Sequence, residues 1–135
     1  MSAIRTGIWN YFRASSVAPL YVDLGGARFH YSEAPEQIAY PYCVFNIFDE
    51  VRDSTFDLEF EDVSVQLDYY SDESSPDECD DGIADIKTMF DYANLTIVGY
   101  TCLQLVRAFV FDPVKIQPDN AWQGIVRYDL LIQKN

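Results

Sequence analysis

Six carboxylates crowd one short stretch, Asp72, Glu73, Asp77, Glu78, Asp80 and Asp81, just ahead of Gly82. Oxygen ligands at this density are what a calcium loop is made of. A twelve-residue EF-hand loop opening at Asp77 needs an oxygen at its third position and a bidentate glutamate at its twelfth. Those positions hold Cys79 and Thr88, so the run reads as a solvated helix start and not as a metal site. His30 is the only histidine, and no Cys, Asp or Glu stands near it in ligand or triad spacing. None of the serines, at 2, 15, 16, 32, 54, 64, 71, 74 and 75, has a G-x-S-x-G context. Gly25-Gly26 lacks the continuation of a phosphate-cradling loop and reads as a turn. Cys43, Cys79 and Cys102 are widely spaced, odd in number and free of any CxxC pattern, which fits reduced, buried thiols in a cytosolic protein. The residues therefore offer no catalytic group, no metal and no cofactor.

The charge is more telling. Nine basic and 22 acidic residues leave a net charge of −13 over 135 residues. A chain of that sign repels phosphate, which argues against proteins that grip the nucleic-acid backbone. The acids gather in a second place as well, Asp49, Glu50, Asp53, Asp57, Glu59, Glu61 and Asp62, with Arg52 among them. Ten tyrosines and nine phenylalanines fill the core and its rim, and they also suit protein–protein contacts. The N-terminus has no basic segment followed by an apolar one, and no apolar run approaches the roughly 18 residues of a membrane span. Neither export nor a membrane location is expected.

The elements that carry these residues follow from periodicity. Residues 42–70 read as a long antiparallel hairpin: an apolar run at 42–48, a polar segment at 49–55, and an alternating run at 56–70. In that last run the apolar phase switches at Glu61-Asp62, as a β-bulge would cause. The first run is apolar on both phases, so its strand should lie centrally and be covered on both faces. Ile4, Ile8, Tyr11 and Phe12 make one helical stripe over residues 3–12, with Ser2 as N-cap. Residues 20–24 fit extended chain or a helical turn, and residues 28–31 fit a short strand. Ser75, Pro76 and Glu78 have the spacing of a capping box opening a helix over 76–93, whose inward stripe is Cys79, Ile83, Ile86, Phe90 and Ala93. Gly82 lets that helix approach the sheet, and Asn94 suits its end. Two long strands, 100–111 and 122–133, complete the set around a loop punctuated by Pro113 and Pro118. In the last strand one face should be core and the other, with Gln123, Arg127, Asp129 and Gln133, wet. Nothing divides residues 1–135, so one domain is expected.

The order helix, glycine turn with short strand, Tyr40-Pro41-Tyr42-Cys43-Val44-Phe45, polar-tipped hairpin ending in Gln66-Leu67-Asp68-Tyr69-Tyr70-Ser71, capped helix and two long strands resembles the tail terminator, or tail-completion, proteins of long-tailed bacteriophages. The resemblance implies an α+β fold, two helices packed on one side of a mostly antiparallel four- to five-stranded sheet with a long β-hairpin. It implies a structural, non-enzymatic virion protein of the tail or neck, assembled in the host cytoplasm. Its implied partners are further copies of itself in a six-membered ring, the tail tube protein and the head–tail connector, with genomic DNA passing through without specific binding. The hairpin residues Asp49, Glu50, Arg52, Asp53, Asp57, Glu59, Glu61 and Asp62 are then the candidates for the lumen or the subunit interface, with the 72–81 cluster as the alternative lining. The competing reading is a small acidic adaptor or inhibitor that mimics nucleic acid and binds a basic protein.

Overall fold

A computed structural model describes residues 2–54, 59–117 and 120–135, and at residues 2, 49–54 and 59 the backbone alone. The elements in chain order are α1 (Ser2–Ala14), α2 (Pro19–Asp23), β1 (Phe29–Tyr31), β2 (Tyr42–Ser54), β3 (Glu59–Ser71), α3 (Asp77–Phe90), β4 (Tyr100–Ile116) and β5 (Ala121–Lys134). The five strands form one sheet in the order β1-β2-β3-β5-β4. Every pairing is antiparallel except β1 with β2, which is parallel. The expected α+β class holds, with α2 as an additional short helical turn.

One face of the sheet carries the core. Every second residue of β3 and β5 points into it: Val63, Val65, Leu67 and Tyr69, and Val126, Tyr128, Leu130 and Ile132, all buried. α3 lays Cys79, Ile83, Ile86, Met89 and Phe90 on this face. The close approach expected at Gly82 is present, since a Cβ there would stand inside the contact envelope of the Tyr69 ring. Gly124 of β5 is the matching gap, filled by Ile83. α1 buries Ile4, Ile8 and Phe12 as its stripe demands. Phe12 stacks on Phe29 at 4.3 Å between ring centroids and Phe29 on Phe45 at 4.9 Å, so one aromatic column ties α1 through β1 to β2.

Several local expectations are corrected. The polar stretch at 49–54 is not a turn: it continues β2, with Arg52 opposite Glu61 and Ser54 opposite Glu59. The bulge lies in β2 and not in β3. Asp49 faces Val63 and Val51 faces Asp62, leaving Glu50 as the extra residue, while β3 stays regular against β5 from Phe60 to Ser71. A strand hydrogen-bonded on both sides has less freedom to bulge than one whose outer side is bare.

The capping box does not form. The cap position is Pro76, without a side-chain hydrogen bond. The Ser75 hydroxyl stands 3.4 Å from the Asp77 amide, and Glu78 instead accepts the Ser71 hydroxyl at 2.6 Å. α3 ends at Phe90, with Asp91 as its cap and Tyr92, not Asn94, in the left-handed region at φ 58°. β4 runs through Pro113 to Ile116 because the proline falls between Phe111 and Val114, at a register shift on an edge strand where no ladder bond is lost. Ser2 heads α1, and its proposed capping side chain lies outside the described residues.

Candidate functional site

The helices cover one face of the sheet and leave the other to the side chains of the opposite phase. On β2 these are Tyr42, Val44, Asn46 and Phe48, on β3 Ser64, Gln66, Asp68 and Tyr70, and on β5 Gln123, Ile125, Arg127 and Asp129, aligned by register. This face is drier than expected. Ser64, Val44 and Asp68 are buried, Gln123, Arg127 and Gln133 are half-buried, and Asp129 alone of the four expected wet residues on β5 is exposed.

At its centre is a polar chain. Arg127 Nη2 donates to Gln66 Oε1 at 2.9 Å, and Gln66 Nε2 donates to Asp68 Oδ1 at 3.0 Å. Burial pushes the Asp68 carboxyl above its ordinary pKa, while hydrogen bonds from Gln66 and Gln123 and the charge of Arg127 pull it down. The Arg127 guanidinium lies between two rings, 5.3 Å from the centroid of Phe48 and 5.2 Å from that of Phe109. Its Nε is buried without a partner among the described residues. Around this centre the surface turns apolar toward β4, where Phe109, Phe111 and Val114 stand exposed; Phe48 on β2 is 43% exposed. Toward β1, the rings of Tyr40, Tyr42 and Tyr70 form a row, with centroids 5.2 and 4.8 Å apart. They line a cleft of about 520 Å³ with Val44, Asn46 and Asp68.

The hairpin candidates are brought together by the β2–β3 ladder. Asp49, Glu50, Arg52 and Asp53 lie on β2 and Glu59, Glu61 and Asp62 on β3, all within the far half of the hairpin. Glu61 and Asp62 are half-buried. Asp57 and the side chains of Asp49, Glu50, Arg52, Asp53 and Glu59 lie outside the described residues. The alternative cluster at 72–81 is at the opposite end of β3, where Asp72, Glu73, Asp77, Asp80 and Asp81 are exposed around the start of α3.

His30 is half-buried beside Arg5, Thr6 and Trp9 in a cleft of about 250 Å³ whose lining, among the described residues, includes no acid and no cysteine. Among the described residues, no three His, Cys, Asp or Glu side chains gather as metal ligands. No helix among the described residues is long and apolar enough to cross a membrane. Cys43 and Cys79 are buried and Cys102 half-buried, all three as free thiols, and burial raises the pKa of Cys43 and takes Cys79 up to about 12.

What sequence reasoning missed is the aromatic and guanidinium cluster on the helix-free face. Its signal was the shared phase of Phe48, Ile125 and Leu131, apolar residues at positions that a wet face would give to polar ones.

The family model for tail completion protein gp17 matches residues 15–133. No curated protein matches the chain in sequence. Among solved structures, a chain described as virion of native gene transfer agent particle superposes with a TM-score of 0.83 at 12% identity, over 98% of this chain and 96% of that one. Another solved chain superposes with a TM-score of 0.61 at 13% identity, over 96% of this chain and 94% of its own. At such identities these two likenesses are ones of fold.

Proposed function

Because the chain belongs to the tail completion protein gp17 family, structural proteins of the phage virion tail, we propose that it terminates the tail as a ring of identical subunits. The ring, of six copies on this reading, sits at the head-proximal end of the tail tube. It joins the tube to the head connector, and the genome passes through its centre. The observation that carries the proposal is the family match, which spans almost the whole chain. The charge supports it: six copies at −13 each total −78, and a channel wall of that sign does not hold DNA by counterion release. The acids Asp49, Glu50, Asp53, Asp57, Glu59, Glu61 and Asp62, with Arg52 among them, are the proposed lining of the channel or of the joints between subunits. Such a role needs binding surfaces and no catalytic residue.

Light scattering on the purified protein tests the reading. A closed ring gives one fixed multiple of 15.5 kDa. A chain that stays monomeric at every concentration and binds a basic protein stoichiometrically would instead identify an acidic adaptor.

A further inference from the structure

The sheet ends in two unlike edges. On one side, β1 covers only residues 43–45 of β2. There the Cys43 amide donates to the Arg28 carbonyl at 2.9 Å, and the Phe45 carbonyl accepts the Ser32 amide at 2.9 Å. Beyond them, residues 46–54 of β2 have no strand partner on that side among the described residues. On the other side, β4, Tyr100–Ile116, has β5 as its single strand neighbour among the described residues, apart from an isolated bridge between Tyr100 and Ile97. Bare edges of this length are templates for another strand.

We infer that these two edges are the two halves of one interface: the bare stretch of β2 in one copy takes the outer edge of β4 in the next copy as an antiparallel strand. The inference rests on the ring reading above and names the surface that closes it.

Strand direction supports it. β3 runs opposite to β2, β5 opposite to β3, and β4 opposite to β5, so β4 is antiparallel to β2 within one subunit. With the strands running close to the ring axis, rotation about that axis keeps the relation between copies, so β4 meets the neighbour's β2 in the more stable antiparallel ladder. Charge points the same way. β2 and β3 together hold seven acids and one base, whereas β4 and β5 hold four bases and two acids. Head-to-tail joining places the acidic end of one sheet against the basic end of the next. A two-fold pairing of β4 with β4 would set like charges together, close a dimer and leave the β2 edge bare.

Level and curvature agree as well. Following register across the sheet, Asn46 stands level with Gln66, Arg127 and Phe109, and Asp53 with Phe60, Gln133 and Thr101. The bare stretch 46–54 therefore meets residues 101–109, where Leu103 and Phe109 are 44% and 38% exposed. Both edges carry bulges, at Glu50 on β2 and within 102–104 and 107–109 on β4, and bulges supply the bend that a closed ring of sheets requires.

Cysteine trapping tests the interface in the full-length protein, with Cys102→Ser removing the half-exposed native thiol. Asn46→Cys with Phe109→Cys places one thiol on each edge, both on the helix-free face, and Phe48→Cys with Val106→Cys tests the next level of the same alignment. Within one subunit these positions are three strand spacings apart, about 14 Å, too far for a disulfide. Across a ladder their Cα atoms would be about 5 Å apart, within bonding range. The expected result, with either pair, is an oxidation-dependent ladder of linked chains that ends at the ring's subunit number, with none from the single-cysteine variants. If both pairs stay unlinked while light scattering reports the ring, the interface is wrong and the ring reading survives. Linked dimers from a single-cysteine variant would reveal two-fold pairing and also overturn it. A parent chain that is monomeric throughout overturns ring and interface together.

Discussion

The Tyr128 hydroxyl, at the centre of the sheet's core face, donates to Asp91 Oδ1 at 2.7 Å, and the other oxygen of that carboxylate takes Arg107 Nη1 at 3.0 Å. One side chain just past the end of α3 thus fastens the helix to β5 and to the edge strand β4. Burial, and then the bond to Asp91, raise the Tyr128 pKa, so the phenol remains a proton donor. Asp91→Ala strands the buried hydroxyl and should cost about 1–3 kcal/mol, whereas Asp91→Asn, which keeps an acceptor oxygen, should cost less. Urea unfolding of the two variants checks the order; equal losses would show that the hydroxyl bond is not what matters.

Gly82→Ala pits two effects against each other. Alanine favours a helix interior by about 1 kcal/mol over glycine. Its methyl group, however, would collide with the Tyr69 ring, which is fully buried and has no free side to move to. Overpacking of this kind costs about 1–3 kcal/mol, so the net effect should be destabilising. A raised melting temperature would mean that the ring yields.

At the start of α3, Ser71→Ala should cost about 1 kcal/mol through its lost 2.6 Å bond to Glu78. Ser75→Ala should fall within about 0.5 kcal/mol, because its contact with the Asp77 amide is long at 3.4 Å. Thermal melts of the pair compare them directly, and the reverse ranking would restore the capping box.

That reversal illustrates what a sequence can and cannot disclose. The stripes of α1 and α3 and the alternation of β5 were legible because each buries a single face, and periodicity records a single face well. Ser75, Pro76 and Glu78 satisfied a local rule, yet Glu78 was claimed by the Ser71 hydroxyl at the end of β3, seven residues earlier and outside the capping pattern. Pro113 looked like a loop marker because edge position, which makes it harmless, is a property of topology. The hairpin acids were visible as charge. Their neighbours on the helix-free face were not, since the meeting of Phe48, Arg127 and Phe109 needs four strands, β2, β3, β5 and β4, placed side by side.

Acidity should also shape stability through Asp85 on α3. Burial, then a hydrogen bond and charge repulsion from Asp23 on α2 and the charge of Asp81, push its pKa from 3.8 to about 7. Between those values the folded chain holds a proton that the unfolded chain has released, so stability falls as pH rises from about 4 to about 7 and levels off above. Asp85→Asn should flatten this part of the profile. Melting temperatures across that range for both proteins give the answer, and parallel curves would exclude Asp85 as the source.

If the hairpin acids face the passing genome, Asp57→Lys, Glu59→Lys and Asp62→Lys combined should leave ring size unchanged and slow DNA ejection. The defect should ease at high salt, where screening shortens to about 3 Å at 1 M. Normal ejection through the substituted ring would assign the acids to solubility.

The division of charge along the sheet, acids on β2 and β3 and bases on β4 and β5, also gives the sheet of each free subunit a charge gradient running across its strands. Two such subunits drifting within a screening length of about 10 Å at 0.1 M salt experience a torque before they touch, and it turns the basic end of one toward the acidic end of the other. Encounter is then biased to one relative orientation. If copies join edge to edge as inferred above, the speed of joining becomes sensitive to ionic strength, while the lifetime of the joint is left to short-range backbone contacts that salt hardly reaches.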